Sequence, residues 1–164
     1  MTPTVLVTGA TGFVGQHALQ RLASEPVRIR VVSRPGQRKA DPWPEATEVV
    51  QSADLFNESP SWWKEVCHGV DTVLHLAWYT EPGKYLQSPR NLDCLAGTIS
   101  LAKGCCAANV RRVVGVGTCF EYDTSIGYLS ASTALKPASP YAAAKAAAFF
   151  ALGEHFRHAK VSFA

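Results

Sequence analysis

The sequence predicts an α/β fold, a doubly wound parallel sheet with helices on both faces. Three observations carry this. Short apolar, β-branched runs alternate along the chain with segments of helical spacing, and strands joined through helices pair in parallel. The composition, 47% hydrophobic and 18% charged, is that of a folded globular chain. A length of 164 residues suits one domain, residues 1–164, with a buried core.

The elements follow in order. "TVLVTG" is a short apolar strand, and "FVGQHALQRLAS" places Val14, Ala18, Leu19 and Leu22 on one helical face. "VRIRVVSR" is a β-branched second strand. "PGQRKADPWPEA" is a loop, punctuated by prolines and a glycine. "TEVVQSADL" reads as a third strand and "SPSWWKEVCHG" as a short helix closed by Gly69. "DTVLHLAW" is a fourth strand, and a long helix starts after Pro89. "VRRVVGVGT" is a fifth strand, followed by a loop to about Pro140, an alanine-rich helix and "KVSFA", the opening of a sixth strand. A doubly wound sheet of this kind normally continues further. The expectation is therefore a cofactor domain whose C-terminal substrate-binding part is absent from this chain.

Bulk properties narrow the partners. The net charge of +3 is mild and the basic residues are scattered, so no nucleic-acid footprint is expected. No apolar run reaches the length of a membrane span. "MTPTVLVTGA" enters the first strand directly, so no signal peptide is expected. Five cysteines without a C-x-x-C pair read as idle thiols in a reducing, cytoplasmic setting. No metal site is expected.

The first strand runs into "TGATGFVG", where Gly9, Gly12 and Gly15 are spaced by three between a strand and a helix. That is the setting of a dinucleotide site in a Rossmann-like sheet. Gly9 permits the turn, Gly12 lets backbone approach a pyrophosphate, and Gly15 lets the helix pack close. The helix N-terminus offers free N–H groups to the anion. NAD-binding sheets usually end the second strand in a carboxylate that holds the ribose. Here the strand ends in Ser33 and Arg34, with Arg38 and Lys39 beyond. Arg34 is placed to accept a 2′-phosphate, which favours NADP over NAD. Asp54, after the third strand, fits both an adenine contact and a cap on the next turn.

The alanine-rich helix opens "SPYAAAK". Tyr141 and Lys145 stand four apart and share a face. A tyrosine with a pKa of about 10 is a poor base at neutral pH. A nearby ammonium stabilises the phenolate by up to roughly 4 kcal/mol at an effective dielectric near 20. The pair therefore reads as a proton-transfer device, with Lys145 lowering the pKa of Tyr141.

"TGATGFVG", "HLAW", "GTCFEY" and "PYAAAK" occur in that order over nearly the whole chain. Together they resemble the extended short-chain dehydrogenase/reductase family, in its NAD(P)-dependent nucleotide-sugar epimerase/dehydratase/reductase branch. The resemblance implies a catalytic set of Thr118, Tyr141 and Lys145. Tyr141 would be the acid/base, Lys145 would also hold the nicotinamide ribose, and Thr118 would bond the reacting sugar oxygen. It implies a cofactor site of Gly9, Thr11, Gly12, Phe13, Val14, Gly15, Ser33, Arg34, Asp54, Leu55, Leu76, Ala77 and Trp78, with Tyr141 and Lys145. His75 would be structural. The substrate would be a nucleotide-linked sugar, and the protein a homodimer through helices near 90–108 and 141–158, both of which carry small residues.

The same resemblance narrows the reaction. The family's dehydratases follow the Thr with Asp and Glu, whereas this chain has Cys119 and Phe120. Dehydratase chemistry is therefore disfavoured, and epimerase or ketoreductase chemistry remains. Cys94 stands where the family often has Asn in "N-x-x-G-T", so a sugar contact is expected to be altered. The alternative is a non-catalytic NADP-binding sensor or scaffold, but such proteins typically lose the Tyr or the Lys.

Overall fold

A computed structural model describes residues 2–36, 43–44 and 47–164. Arg38 and Lys39, part of the expected basic end of the second strand, lie outside the described residues. The sheet consists of β1 (Thr4–Thr8), β2 (Arg28–Ser33), β3 (Glu48–Gln51), β4 (Thr72–His75), β5 (Arg112–Gly115) and β6 (Ser162–Phe163). All five pairings are parallel, in the order β3-β2-β1-β4-β5-β6. The helices are α1 (Phe13–Leu22), α2 (Pro60–Val66), α3 (Arg90–Ala107) and α4 (Pro140–His158).

The alternation of side chains along β1 divides the core in two. Leu6 joins Val32, Val73 and Val113 under α2, α3 and α4, with Trp63, Leu101 and Phe156 at the centre. Val5 and Val7 face the other way and pack with Ile29, Val31 and Leu19 of α1. The helices thus cover both faces, as the alternating pattern predicts. Strand order reverses between β1 and β4, the point at which doubly wound sheets hold their ligands.

Several boundaries are tighter than the sequence reading. The third strand stops at Gln51, because Asp54 turns the chain into a 3-10 turn at Leu55–Asn57. The fourth stops at His75: β1 has ended at Thr8, whose carbonyl takes the Leu76 N–H and whose hydroxyl takes that of Ala77. The fifth stops at Gly115. The short helix ends at Val66, with Ser59 as its cap, and Gly69 follows at φ 70°. "KVSFA" does pair as a sixth strand.

Two glycines shape the seat of α3. A Cβ on Gly97 would lie 2.4 Å from the Phe56 Cα, and one on Gly104 would lie 2.3 Å from the Trp63 Cβ. The helix can approach the 3-10 turn and α2 only because both positions lack a side chain.

Candidate functional site

The glycine loop is built by contacts that side chains would obstruct. Gly9 adopts φ 71°, and a Cβ there would strike the Ala77 N at 2.7 Å. The loops after β1 and β4 are thereby pressed together. A Cβ on Gly15 would fall 2.2 Å from the Gly9 carbonyl oxygen, so α1 depends on that glycine for its packing. Gly12 is exposed and caps α1 without a side-chain bond. The first N–H groups of α1 are therefore left for solvent or an anion. Thr11 is half-buried, while Phe13 and Val14 are exposed.

Around this loop, Ser33 is buried and its hydroxyl leans on the Arg34 carbonyl, while Arg34 is exposed. Asp54 caps the 3-10 turn through the Phe56 N–H, and its second oxygen accepts from Arg90 of α3 at 2.8 Å. Its carboxylate thus meets the capping alternative and also joins the turn to α3. Leu55 and Leu76 are half-buried and Ala77 is buried.

His75 is held from both sides. Its Nδ1 lies 2.8 Å from the Thr8 hydroxyl and its Nε2 3.0 Å from that of Thr98. Thr98 donates onward to the Cys94 carbonyl, and Thr8 accepts from the Ala77 N–H. The only assignment that serves every partner is Thr8 donating to Nδ1 and Nε2–H donating to Thr98. Burial, helped by the Lys145 charge, pushes His75 down to about 3. Cys94, at the family's Asn position, is fully buried in α3.

Thr118, Tyr141 and Lys145 come together beyond β4 and β5. Ser139 caps α4 and Pro140 occupies its first turn, which sets Tyr141 at the helix start. Tyr141 is buried, with its ring 4.8 Å from that of Tyr85 and 6.4 Å from that of Trp78. The Lys145 ammonium donates to the Val116 carbonyl at 2.7 Å and sits 4.1 Å from the centre of the Trp78 ring. Trp78 is itself anchored, its indole N–H donating to the fully buried Asn91 at 2.9 Å. An apolar pocket opens beside Lys145, lined by Trp78, Gly115, Val116 and Phe163.

The electrostatics correct one expectation. Burial pushes the Tyr141 phenol above its usual range, the Thr118 hydroxyl pulls it back, and the lowering by Lys145 that the i, i+4 spacing predicts does not appear. The ammonium is engaged by Val116 and Trp78 instead. Lys145 is itself pushed down to about 8 by burial, against the pull of Glu121.

Glu121 is the residue the sequence reading missed. It is buried, and its Oε1 accepts the Thr118 N–H at 2.7 Å. The Thr118 hydroxyl accepts from the Phe120 N–H at 3.3 Å, so the pair closes a capping box. The T-x-x-E spacing of "TCFE" carries that signal. Tyr85 and Asn91 were also missed, and no local pattern marks them.

The glycine cradle, the strand order and the Thr-Tyr-Lys cluster set the frame for comparison. A model of the NAD dependent epimerase/dehydratase family matches residues 5–163. The chain belongs to this family. Three relatives give its range. An uncharacterized oxidoreductase of Schizosaccharomyces pombe is 38% identical over 97 residues, 55% of this chain and 27% of that one. The dTDP-6-deoxy-L-talose 4-dehydrogenase (NAD(+)) of Aggregatibacter actinomycetemcomitans is 21% identical over 141 residues, 86% of this chain and 51% of that one. The UDP-N-acetylglucosamine 4-epimerase of Methanobrevibacter ruminantium M1, solved with UDP-N-acetylmuramic acid, shares the fold with a TM-score of 0.84 at 22% identity. That match covers 99% of this chain and 54% of that structure. The chain spans about half the length of the dehydrogenase and of the epimerase. No helix among the described residues is long and apolar enough to cross a membrane.

Proposed function

We propose that this member of the epimerase/dehydratase family carries the cofactor site and acid/base residues of an NAD(P)-dependent oxidoreductase or epimerase acting on a nucleotide-linked sugar. The observation that carries the reading is the convergence of Thr118, Tyr141 and Lys145 at the crevice beside the glycine loop. The cradle suits a dinucleotide: Gly9 lets the loop press against Leu76 and Ala77 after β4, Gly15 lets α1 pack against the loop, and Gly12 leaves α1 without a side-chain cap. Gly9, Gly12 and Gly15 would face the pyrophosphate, with Asp54, Leu76, Ala77 and Trp78 along the crevice. A bound nicotinamide would supply or accept the hydride. Thr118 holds the sugar oxygen and Tyr141 moves its proton. Lys145, one turn along α4, holds its ammonium at the Val116 carbonyl and over the Trp78 ring. A phenol carries its proton at neutral pH, the state of a proton donor in ketone reduction. Cys119 and Phe120 offer no acid or base for loss of a hydroxyl, so dehydratase chemistry is not proposed.

NADP is the proposed cofactor, because Arg34 is exposed at the end of β2 with no ion pair among the described residues. The related dehydrogenase is named for NAD(+), so the choice is tested directly. NADPH and NADH affinities are measured for the wild type and Arg34→Ala. A lost charge-assisted contact costs about 1.5–3 kcal/mol, roughly 10- to 150-fold in NADPH affinity. Equal affinities in the wild type would remove the NADP assignment, and binding of neither would remove the cofactor reading. UDP- and dTDP-linked sugars, screened with the cofactor that binds, then test the reaction. We also propose a homodimer through α3 and α4. Gly97, Ala102, Ala144 and Ala148 are buried within the chain, while Ala96, Ala143, Ala147 and Phe150 remain exposed for a partner. Sedimentation at micromolar concentration checks this, and a monomer alone would count against it.

A further inference from the structure

Glu121 is a buried carboxylate that the proposed reaction does not use. It lies in the turn that carries Thr118, at the mouth of a site that also holds a buried phenol and a buried ammonium. Its Oε1 accepts the Thr118 N–H, and a Cβ on Gly117 would come within 3.1 Å of that same oxygen. The turn is thus shaped around the carboxylate: Gly117 leaves the space, Thr118 supplies the donor, and the Glu121 carbonyl is tied to the Lys136 N–H at 2.9 Å. The cap of the next turn, Asp123, is only half-buried, whereas Glu121 is buried. A carboxylate taken out of water needs a compensating charge or donor. Here the nearby cation is Lys145.

We propose that Glu121 is a positioning residue of this site: it fixes the place of the Thr118 hydroxyl and supplies the fixed negative charge that Tyr141 and Lys145 face. The role rests on the acid/base reading given above for those two residues. Tyr141 is faced by Tyr85 from the 3-10 turn before α3, and by Cys119 and Glu121 from the turn after β5. Lys145 is faced by Cys94 of α3 and by Glu121, and it acts in turn on His75 of β4. Among these groups Glu121 is the one carboxylate. Its charge opposes ionisation of the phenol and favours the ammonium, so both residues keep their protons to higher pH than burial alone would allow.

The test separates place from charge. Glu121→Gln keeps a carbonyl oxygen for the Thr118 N–H and removes the charge, whereas Glu121→Asp keeps the charge and withdraws it by one methylene. Each is titrated with alkali while tyrosinate absorbance is followed, and Tyr141→Phe in the same background identifies the Tyr141 component. Circular dichroism confirms the fold at the starting pH. In Glu121→Gln the Tyr141 component should move to lower pH, by on the order of tenfold in ionisation constant. In Glu121→Asp it should stay near the wild-type position. An unchanged component in Glu121→Gln would overturn the proposal. So would equal shifts in both variants, which would mark a packing effect. Should Glu121→Gln fail to fold, Glu121→Met replaces it as the charge-free variant: a shift of the Tyr141 component to lower pH supports the charge, and a wild-type titration overturns the proposal. The titration needs neither cofactor nor substrate, so its failure is distinct from failure of the proposed function.

Discussion

Lys145 keeps its ammonium 4.1 Å from the centre of the Trp78 ring while donating to the Val116 carbonyl. Both contacts suit a cation, yet burial pushes the group down to about 8 from its usual 10.5. The folded chain therefore releases this proton before the unfolded chain does. Between about pH 8 and pH 10 the unfolded state binds more protons, and stability rises with pH relative to a chain that cannot titrate there. Denaturant unfolding of the wild type and Lys145→Met across this window should show the wild type gaining on the order of 3 kcal/mol. A difference that stays flat with pH would mean that the ammonium is not desolvated.

His75 gives the opposite end of the pH range. Its folded value of about 3 lies below its ordinary 6.5. The unfolded chain takes up a proton that the folded chain refuses, so this contribution is present above about pH 6.5 and is lost as the pH falls toward 3. Each pH unit in that window costs at most about 1.4 kcal/mol. His75→Gln is less stable at neutral pH, because the bonds to Thr8 and Thr98 are disturbed, but its stability should fall less steeply on acidification. Parallel curves for the two proteins would contradict the buried neutral imidazole.

The glycine loop makes two positions separable. Gly15→Ala drives a carbon against backbone at 2.2 Å and 2.7 Å, at the Gly9 carbonyl oxygen and the Ala10 Cα. Backbone cannot rotate away, so α1 must shift, at a cost of about 1–3 kcal/mol. Gly12→Ala meets only the Gly9 oxygen, at 3.2 Å, and the fold accommodates it. Thermal unfolding should therefore single out Gly15→Ala, while NADPH affinity should fall in both. A normal melting temperature for Gly15→Ala would refute the close packing described here.

Tyr141→Phe removes one oxygen and leaves the ring contacts to Tyr85 and Trp78 in place. Fold and cofactor affinity should persist. With a sugar nucleotide that the enzyme accepts and saturating cofactor, kcat should drop about 10²- to 10⁴-fold, the range of general acid–base help. Retention of most of the turnover would reduce the Tyr141–Lys145 pair to a shared helix face.

The sheet and the glycine loop are legible because each signal is local. An apolar run, a glycine triplet and a capped helix start lie within a few residues of one another, and strand order follows from the alternation. Strand ends are less legible. "HLAW" stays apolar beyond the point where β1 ends at Thr8, and "VGVGT" beyond the point where its neighbour β4 ends at His75. The site divides in the same way. Tyr141 and Lys145 are visible as a spacing, but the groups that engage Lys145 are not, since Trp78 and Val116 belong to other elements. Reading the spacing alone directs the ammonium at the phenol. Burial beside an aromatic ring and a carbonyl directs it elsewhere. Glu121 was within reach as the far end of a capping box, and its burial was not.

Gly97 and Gly104 carry a consequence for the order in which the chain acquires structure. Each glycine weakens an isolated helix by about 1 kcal/mol relative to alanine, and α3 also contains Thr98, a poor interior helix former. A peptide of residues 90–107 should be largely unstructured in water. Its helicity is borrowed from the Phe56 and Trp63 surfaces into which those two glycines fit. During folding, α3 should therefore consolidate only after the segment from the 3-10 turn through α2 has docked on the sheet, whereas the alanine-rich α4 can form turns on its own.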